Sequence, residues 1–141
     1  MALSADTRRN YEFNIDPVMN DIPVYQAVTI YEGAAVGEVS GGGYCRGLVA
    51  ADVFLGFARR KADNASGASG AINARVQQRG VVELTVTGVT GVTDLGTAVY
   101  ASADGTFTLT ASGSTAIGKI IRYISSTTVM VYFEAGQLQS M

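Results

Sequence analysis

An Asp-Gly pair, Asp104-Gly105, separates two short runs rich in Thr, Val, Tyr and Phe within residues 94–110. Asp-Gly between such runs indicates a two-residue hairpin loop in which both residues take positive φ, a conformation that Gly adopts freely and Asp tolerates. The predicted cross-strand pairs are Ala103 with Thr106, Ser102 with Phe107, and Tyr100 with Leu109. In that register one face carries Tyr100, Phe107 and Leu109, and the other carries Val99, Ala101, Thr106, Thr108 and Thr110. One half-buried face and one Thr-rich face are typical of a sheet that covers a core.

Apolar and polar residues alternate elsewhere in the chain with the period of a half-buried strand. Residues 72–77 and 82–87 alternate in this way, and residues 117–125 and 128–135 form a second predicted hairpin that turns at Ser126-Thr127. Strand-like runs spaced roughly every 8–12 residues and separated by Gly turns indicate an all-β fold. The predicted domain is a small β-barrel or sandwich of short antiparallel strands.

The last predicted strand is apolar on both faces. One face carries Val129, Val131 and Phe133, while the other carries Met130 and Tyr132. Apolar groups on both sides of a strand predict burial on both sides, so the second face must be covered by another part of the chain or by another subunit. Met130 and Tyr132 are therefore the candidate residues for a subunit interface.

Residues 1–24 have the character of an extended N-terminal arm, and residues 25–141 form the predicted β-domain. Within the arm, Tyr11, Phe13 and Ile15 alternate with polar residues, which places three large side chains on one face of a strand. A terminal strand of this kind docks on a sheet of its own domain or of a neighbour. We expect the arm, including Arg8 and Arg9, to contribute to contacts with neighbouring molecules.

Charge and composition exclude several classes of function. Charged residues make up 16% of the chain, against a usual share of about 25%, so part of the surface is expected to be covered by partners. A net charge of −2 argues against general nucleic-acid binding. There is no apolar run of about 18 residues to span a membrane, and the first residues do not form a secretory signal. We expect the chain to be made and used in the cytoplasm, or in a particle assembled there.

The residues that catalysis most often needs are missing from the sequence. It has no histidine and one cysteine, Cys45, which excludes His-based catalytic sets and Cys/His metal sites. The run Gly113–Lys119 fits part of a phosphate-binding loop, but Ile120 replaces the required Ser or Thr and a strand-like run follows instead of a helix. We expect no enzyme activity, no cofactor and no metal.

Five basic residues form the one cluster of like charge: Arg59, Arg60, Lys61, Arg75 and Arg79. If residues 54–61 and 72–79 are paired strands, these side chains share one surface. Such a surface is either simply solvated or makes contact with an acidic patch on a larger assembly or a sister subunit, where complementary charge fixes register. Arg59, Arg60 and Lys61 are the candidates for that contact.

The run Asp-Leu-Gly-Thr-Ala-Val-Tyr-Ala-Ser-Ala-Asp-Gly-Thr-Phe-Thr-Leu-Thr at residues 94–110 resembles the C-terminal half of the capsid cement, or head decoration, proteins of tailed bacteriophages. Ala116–Ile120 and the β-rich residues after it resemble the next strand of that family. The resemblance covers residues 89–134 well and residues 27–37 and 54–58 more loosely. It does not extend to the first 24 residues.

This resemblance implies a small β-barrel-like domain in a structural virion protein. It further implies a homotrimer on the outer surface of the expanded head, assembled in the host cytoplasm, which binds the major capsid protein where its subunits meet. The alternative is a carbohydrate- or receptor-binding β-module of a phage tail or fibre, in which the seven tyrosines would replace the missing Trp platforms. A small hydrolase is a third option, which the missing histidine disfavours.

Overall fold

The computed structural model of the chain describes residues 2–12 and 18–136, so the predicted arm contacts Phe13 and Ile15 lie outside the described residues. The all-β prediction is confirmed, because the described residues form twelve strands and one 3₁₀ helix at Val92–Asp94. The strands are β1 Tyr11–Glu12, β2 Val18–Pro23, β3 Val28–Ile30, β4 Ala35–Glu38, β5 Cys45–Gly47, β6 Val53–Ala58, β7 Ala62–Asn64, β8 Asn73–Thr87, β9 Ala98–Ala103, β10 Thr106–Thr108, β11 Thr115–Ser125 and β12 Thr128–Glu134. Within residues 2–12 and 18–136, no helix is both long and apolar enough to cross a membrane.

Strand β8, 15 residues long, is the central strand of the fold. It pairs antiparallel with β12, β6, β1 and β2 and, near its end, in parallel with β10. The sequence had indicated two separate alternating runs on either side of Gly80, and the structure joins them into one strand. Its first half carries Ala74 and Val76 into one apolar cluster, and its second half carries Val82 and Leu84 into another.

A closed barrel forms around the second half of β8. Its strands pair in the order β8, β12, β11, β9 and β10, and the β10–β8 pairing closes the ring. Closure leaves no open edge between these strands, which removes a template for unwanted pairing. The barrel interior is filled by apolar side chains that include Phe107, Ile117, Ile120, Val131 and Phe133.

A second lobe surrounds the first half of β8. Strand β8 pairs with β6, β6 with β4, and β4 with β5, while β3 and β7 form a separate two-stranded sheet. Its apolar cluster includes Ile22, Ile30, Val36, Leu55 and Val76. Fully buried aliphatic side chains of this size contribute about 1.5–3 kcal/mol each, so both lobes contain a stabilising core.

The hairpin at Asp104-Gly105 forms where it was predicted, but its turn geometry and register differ from the prediction. Ala103 does pair with Thr106, yet neither turn residue has a positive φ, and a bulge after Thr106 shifts the register so that Phe107 pairs with Ala101. The predicted pairing of Ser102 with Phe107 was therefore wrong. The turn is held by the rest of the fold, since the amide of Ala35 donates to the carbonyl of Asp104 at 2.9 Å.

The shifted register also reverses the faces of β9. Val99 and Ala101, predicted to lie on the Thr-rich face, are fully buried in the barrel with Phe107. Tyr100, predicted to share the face of Phe107, is half-buried and lies outside that cluster. A single bulge exchanges the faces because side chains alternate with period two along a strand.

The second predicted hairpin is confirmed. Strands β11 and β12 are joined by a turn at Ser126-Thr127, with Ser126 at φ +51°. Strand β12 directs Val129, Val131 and Phe133 into the barrel as predicted.

Strand β11 departs from simple alternation. Its inward side chains Ile117, Ile120 and Tyr123 follow a spacing of three. The register against β9 shifts between Ala116 and Gly118, and the pairing with β12 skips Ile121 and then Ile124. Each skipped residue is a bulge, which inserts one residue into one strand and re-aims the local side chains.

The described part of residues 1–24 packs on its own chain. The amide of Leu3 donates to Oδ1 of Asp104 at 2.8 Å, and the amide of Thr7 donates to the carbonyl of Glu32 at 2.6 Å. Strands β1 and β2 both pair with β8, and Leu3 packs against the second-lobe cluster. The boundary at residue 24 between arm and domain stays a prediction.

Candidate interaction surfaces

Tyr11, predicted to dock on a neighbour, lies against its own barrel. Its ring makes an edge contact with Phe133 at 6.4 Å between centroids, and the guanidinium carbon of Arg59 lies 4.2 Å from the centre of the Tyr11 ring. Burial raises the pKa of Tyr11 to about 12. The structure thus brings together two residues from separate predicted contact sites, because β1 and the end of β6 both lie beside β8.

The two arginines of the arm have different environments. Arg9 donates through Nε to the carbonyl of Gly33 at 2.9 Å and lies 5.5 Å from the centre of the Phe107 ring. Burial lowers the pKa of Arg9 from its ordinary value. Arg8 is exposed. Of the two, Arg8 is the side chain that a partner can reach without rearrangement.

The predicted basic cluster is divided among several local contacts. Strand β6 does pair with β8, and the amide of Arg59 donates to the carbonyl of Arg75, as the proposed pairing requires. Arg75 forms an ion pair with Asp21 at 3.3 Å, and the ammonium of Lys61 lies 5.5 Å from the centre of the Tyr31 ring. Arg59 donates to Oε1 of Gln77, while Arg60 is exposed. These four side chains therefore do not act as one uniform patch.

The two candidates for the subunit interface differ in exposure. Met130 is 3% exposed within the single chain and offers little area to another molecule. Tyr132 is half-buried, and its hydroxyl donates to Glu134 at 3.2 Å. The role of both residues in an interface stays a prediction.

A groove of about 430 Å³ lies beside Tyr132 on the surface of β9, β11 and β12. Three of its lining residues, Ala98, Ala116 and Gly118, have at most one side-chain carbon, and the charged residues are Lys119 and Glu134. A Cβ atom on Gly118 would lie 1.8 Å from the carbonyl oxygen of Tyr132, so glycine is required for this close approach of the strands. Small side chains on β9 and β11 line the groove, where Ala98 lies opposite Lys119 and Ala116 lies opposite Tyr100.

Several large apolar side chains are exposed on β11 and in the segment before β9, and the sequence did not predict their exposure. Ile121 and Ile124 are 41% and 42% exposed, and Leu95 and Val92 are 62% and 70% exposed. The amide of Gly96 donates to the carbonyl of Ile120 at 2.8 Å, which places Leu95 next to β11. The three-residue spacing of Ile117, Ile120 and Tyr123 was the signal that could have predicted the bulges and the outward isoleucines.

Within the described residues, no three acidic, histidine or cysteine side chains are grouped so that they could hold a metal ion. The thiol of Cys45 is buried, and this burial raises its pKa to about 12, so little of it is present as the reactive thiolate. Strand β11 begins at Thr115, which places a strand where a phosphate-binding loop would need a helix.

No protein-family model matches the chain. No curated protein gives a significant match either. Among solved structures, a chain of the structure described as "The capsid of Myoviridae Phage XM1" is similar in fold, with a TM-score of 0.60 and 19% sequence identity. The match covers 95% of this chain and 94% of that chain, so it spans both the barrel and the second lobe. The protein therefore shares its fold with a chain from a phage capsid structure.

Proposed function

We propose that the protein is a structural component of a phage virion, a cement or decoration subunit that binds the assembled head. The observation that carries this proposal is the fold similarity to a chain of a phage capsid structure over 95% of the present chain. The resemblance of residues 94–110 to the cement family supports the same function. The subunit would bind the outer surface of the head as a homotrimer and bridge neighbouring major capsid subunits.

The proposed mechanism is stabilisation by binding and involves no chemical reaction. A protein that binds one state of a shell stabilises that state by RT ln(1 + [L]/Kd), where [L] is the free concentration of the subunit. A cement subunit contacts more than one capsid subunit. Separating those capsid subunits would therefore expose the area covered by the cement protein as well as the area buried between the capsid subunits. The absence of histidine from the sequence is consistent with a role that needs no proton transfer near neutral pH.

The proposed contacts with the capsid are the arm and the basic residues named above. Tyr11, Arg9 and Arg59 already have partners within the chain, so we place the first encounter at the exposed side chains Arg8 and Arg60. Exposed basic residues of this kind steer association and set its salt dependence more than they set affinity. Phe13 and Ile15 remain proposed contacts in the arm.

Co-sedimentation with purified heads tests the proposal. The protein should sediment with expanded heads of its phage, and less with unexpanded ones. Arg8→Glu together with Arg60→Glu should weaken binding most at low salt, where charge is least screened. Thr93→Glu, an exposed position in the 3₁₀ helix, adds one negative charge elsewhere and shows whether added negative charge alone weakens binding.

Two outcomes would contradict the proposal. Failure to sediment with either form of head would remove the capsid function, and a positive glycan-array signal in the same protein would favour the carbohydrate-binding alternative. Unchanged binding by the arginine variant would remove those two residues from the contact and leave the capsid function standing.

A further inference from the structure

We propose that residues 2–12 form a strap that ties the barrel to the second lobe and opens as one unit while both lobes stay folded. The strap is the described part of the chain before β2. This inference concerns the free protein, so it goes beyond the proposed function and its test does not require heads.

The strap contacts the barrel at both of its ends. Near its start, the amide of Leu3 donates to Oδ1 of Asp104 in the turn between β9 and β10. Near its end, the amide of Glu83 on β8 donates to the carbonyl of Asn10 at 2.9 Å, and strand β1 pairs with β8 directly after it. The side chain of Leu3 packs against the apolar cluster of the second lobe, so this end of the strap contacts both lobes.

The middle of the strap is attached to the second lobe, at the turn between β3 and β4. The amide of Glu32 donates to Oδ1 of Asp6 at 2.8 Å, and the amide of Thr7 donates to the carbonyl of Glu32 at 2.6 Å. A Cβ atom on Gly33 would lie 1.9 Å from the carbonyl oxygen of Thr7, and the φ of +87° at Gly33 also favours glycine. The strap can follow this path only while residue 33 has no side chain.

Arg9 joins the two lobes through one side chain. Its Nε donates to the carbonyl of Gly33 in the second lobe, while its guanidinium lies 5.5 Å from the centre of the Phe107 ring in the barrel. A cation is attracted to the face of an aromatic ring. Because contacts to the two lobes alternate along the strap, the loss of one contact should loosen the others.

The strap also has the features of a segment that opens before the lobes unfold. None of residues 2–12 is buried, whereas each lobe contains a cluster of buried apolar side chains. Segments with few buried apolar groups open at a lower cost in free energy than the cores on which they pack. We therefore expect one opening transition of the strap that leaves both cores intact.

Hydrogen exchange of backbone amides, followed by NMR on the purified full-length protein, tests this inference. The strap amides, which its contacts protect, are those of Leu3, Thr7, Glu32 and Glu83. The reference amides are Ala135 in the barrel and Val24 in the second lobe, each bonded within its own lobe. The four strap amides should have similar protection factors, about tenfold or more below those of the reference amides.

Asp6→Ala tests whether the strap acts as a unit. The substitution removes a contact with the second lobe, yet it should also lower the protection of Leu3 and Glu83, whose amide contacts involve the barrel. Asp63→Ala is the matched control, because Asp63 is also exposed and accepts a hydrogen bond from an amide of its own lobe, that of Ala65. The control should leave all four strap amides unchanged.

Gly33→Ala should displace the strap from the turn and lower the protection of all four strap amides by about tenfold or more. Gly96→Ala is the matched control, since Gly96 has a similar φ of +84° but a Cβ there meets nothing within 4 Å. Both variants carry the same kind of backbone strain, so the difference between them reports the contact with Thr7. The Asp6→Ala comparison decides the question if Gly33→Ala does not fold.

Two results would overturn the inference. Strap amides that exchange as slowly as Ala135 and Val24 would show that the strap opens only when the lobes unfold. Loss of protection at Thr7 and Glu32 alone in Asp6→Ala would show that the contacts open separately. Because these measurements use the free protein, either result leaves the proposed capsid function untouched.

Discussion

The amide of Leu3 donates a hydrogen bond of 2.8 Å to Oδ1 of Asp104, which lies 101 residues later in the chain. The bond ties the first described residues to the turn between β9 and β10, and Asp104 is 7% exposed beneath it. Two groups that sequence analysis placed in separate units, the arm and the hairpin, are therefore parts of one packed region. The stability of that region can be tested directly.

Asp104 should make stability fall as pH rises. Burial is the largest cause of a pKa raised above the ordinary 3.8 for this carboxyl, so the folded state holds its proton more tightly than the unfolded state. The resulting stability is fully present below the unfolded pKa and is lost as pH rises through the folded pKa. The free energy of unfolding of wild type, relative to Asp104→Asn, should therefore decrease as pH rises from below 3.8 through the folded pKa. Urea titrations at several pH values measure this difference, and a difference that is flat or of opposite slope would contradict the prediction.

Asp94 should show the opposite dependence. Hydrogen bonds from the Thr90 and Gly91 amides lower its pKa below 3.8, so its contribution is present above the unfolded pKa and lost as pH falls through the folded pKa. Asp94→Ala should destabilise the protein near neutral pH, and the loss should shrink under acid conditions. The same urea titrations report it. Equal losses at all pH values would show that the aspartate acts through packing and not through its charge.

Asp52 anchors the edge strand β5. Arg46 donates two hydrogen bonds to its carboxylate, at 3.0 and 2.9 Å, and the amide of Val49 donates a third at 3.1 Å. Hydrogen bonds to a charged group contribute about 1.5–3 kcal/mol, so Asp52→Ala should cost about 2–4 kcal/mol of unfolding free energy. Thermal or urea denaturation measures the change. Asp21→Ala is the matched control, because the Asp21 ion pair with Arg75 is exposed and should contribute less than about 1 kcal/mol.

Gly118 should tolerate no side chain. A Cβ atom there would lie 1.8 Å from the carbonyl oxygen of Tyr132, so the two strands would have to separate. Gly118→Ala should destabilise the protein by about 2–4 kcal/mol through loss of strand pairing and packing. Gly91→Ala is the control, since a Cβ at Gly91 meets nothing within 4 Å and its φ of 166° is ordinary extended backbone. Equal effects of the two substitutions would show that the close approach at Gly118 is not a constraint.

Tyr11 should stabilise the barrel. Its ring contacts Phe133 and lies beneath Arg59, so Tyr11→Ala should cost about 2–4 kcal/mol, near the range for removing an aromatic side chain from a core. Arg8→Ala, at an exposed position, should change stability by less than about 0.5 kcal/mol. Urea denaturation distinguishes the two. If Tyr11→Ala left the free energy of unfolding unchanged, Tyr11 would again be a candidate for docking on a neighbour.

The sequence by itself was sufficient to predict the fold class, the second hairpin and the inward face of β12. These features depend on local alternation and turn residues, which repeat within a few positions. Val129, Val131 and Phe133 therefore lie in the barrel as their period predicted.

Tertiary structure decided the rest. The bulge after Thr106 exchanged the faces of β9, and the bulges at Ile121 and Ile124 produced the exposed isoleucines of β11. Tyr11 and Arg59 meet because β8 brings β1 and β6 together. Bulges and long-range pairings of this kind are selected by which arrangement buries the most apolar surface across the whole chain, and no short window of sequence contains that information.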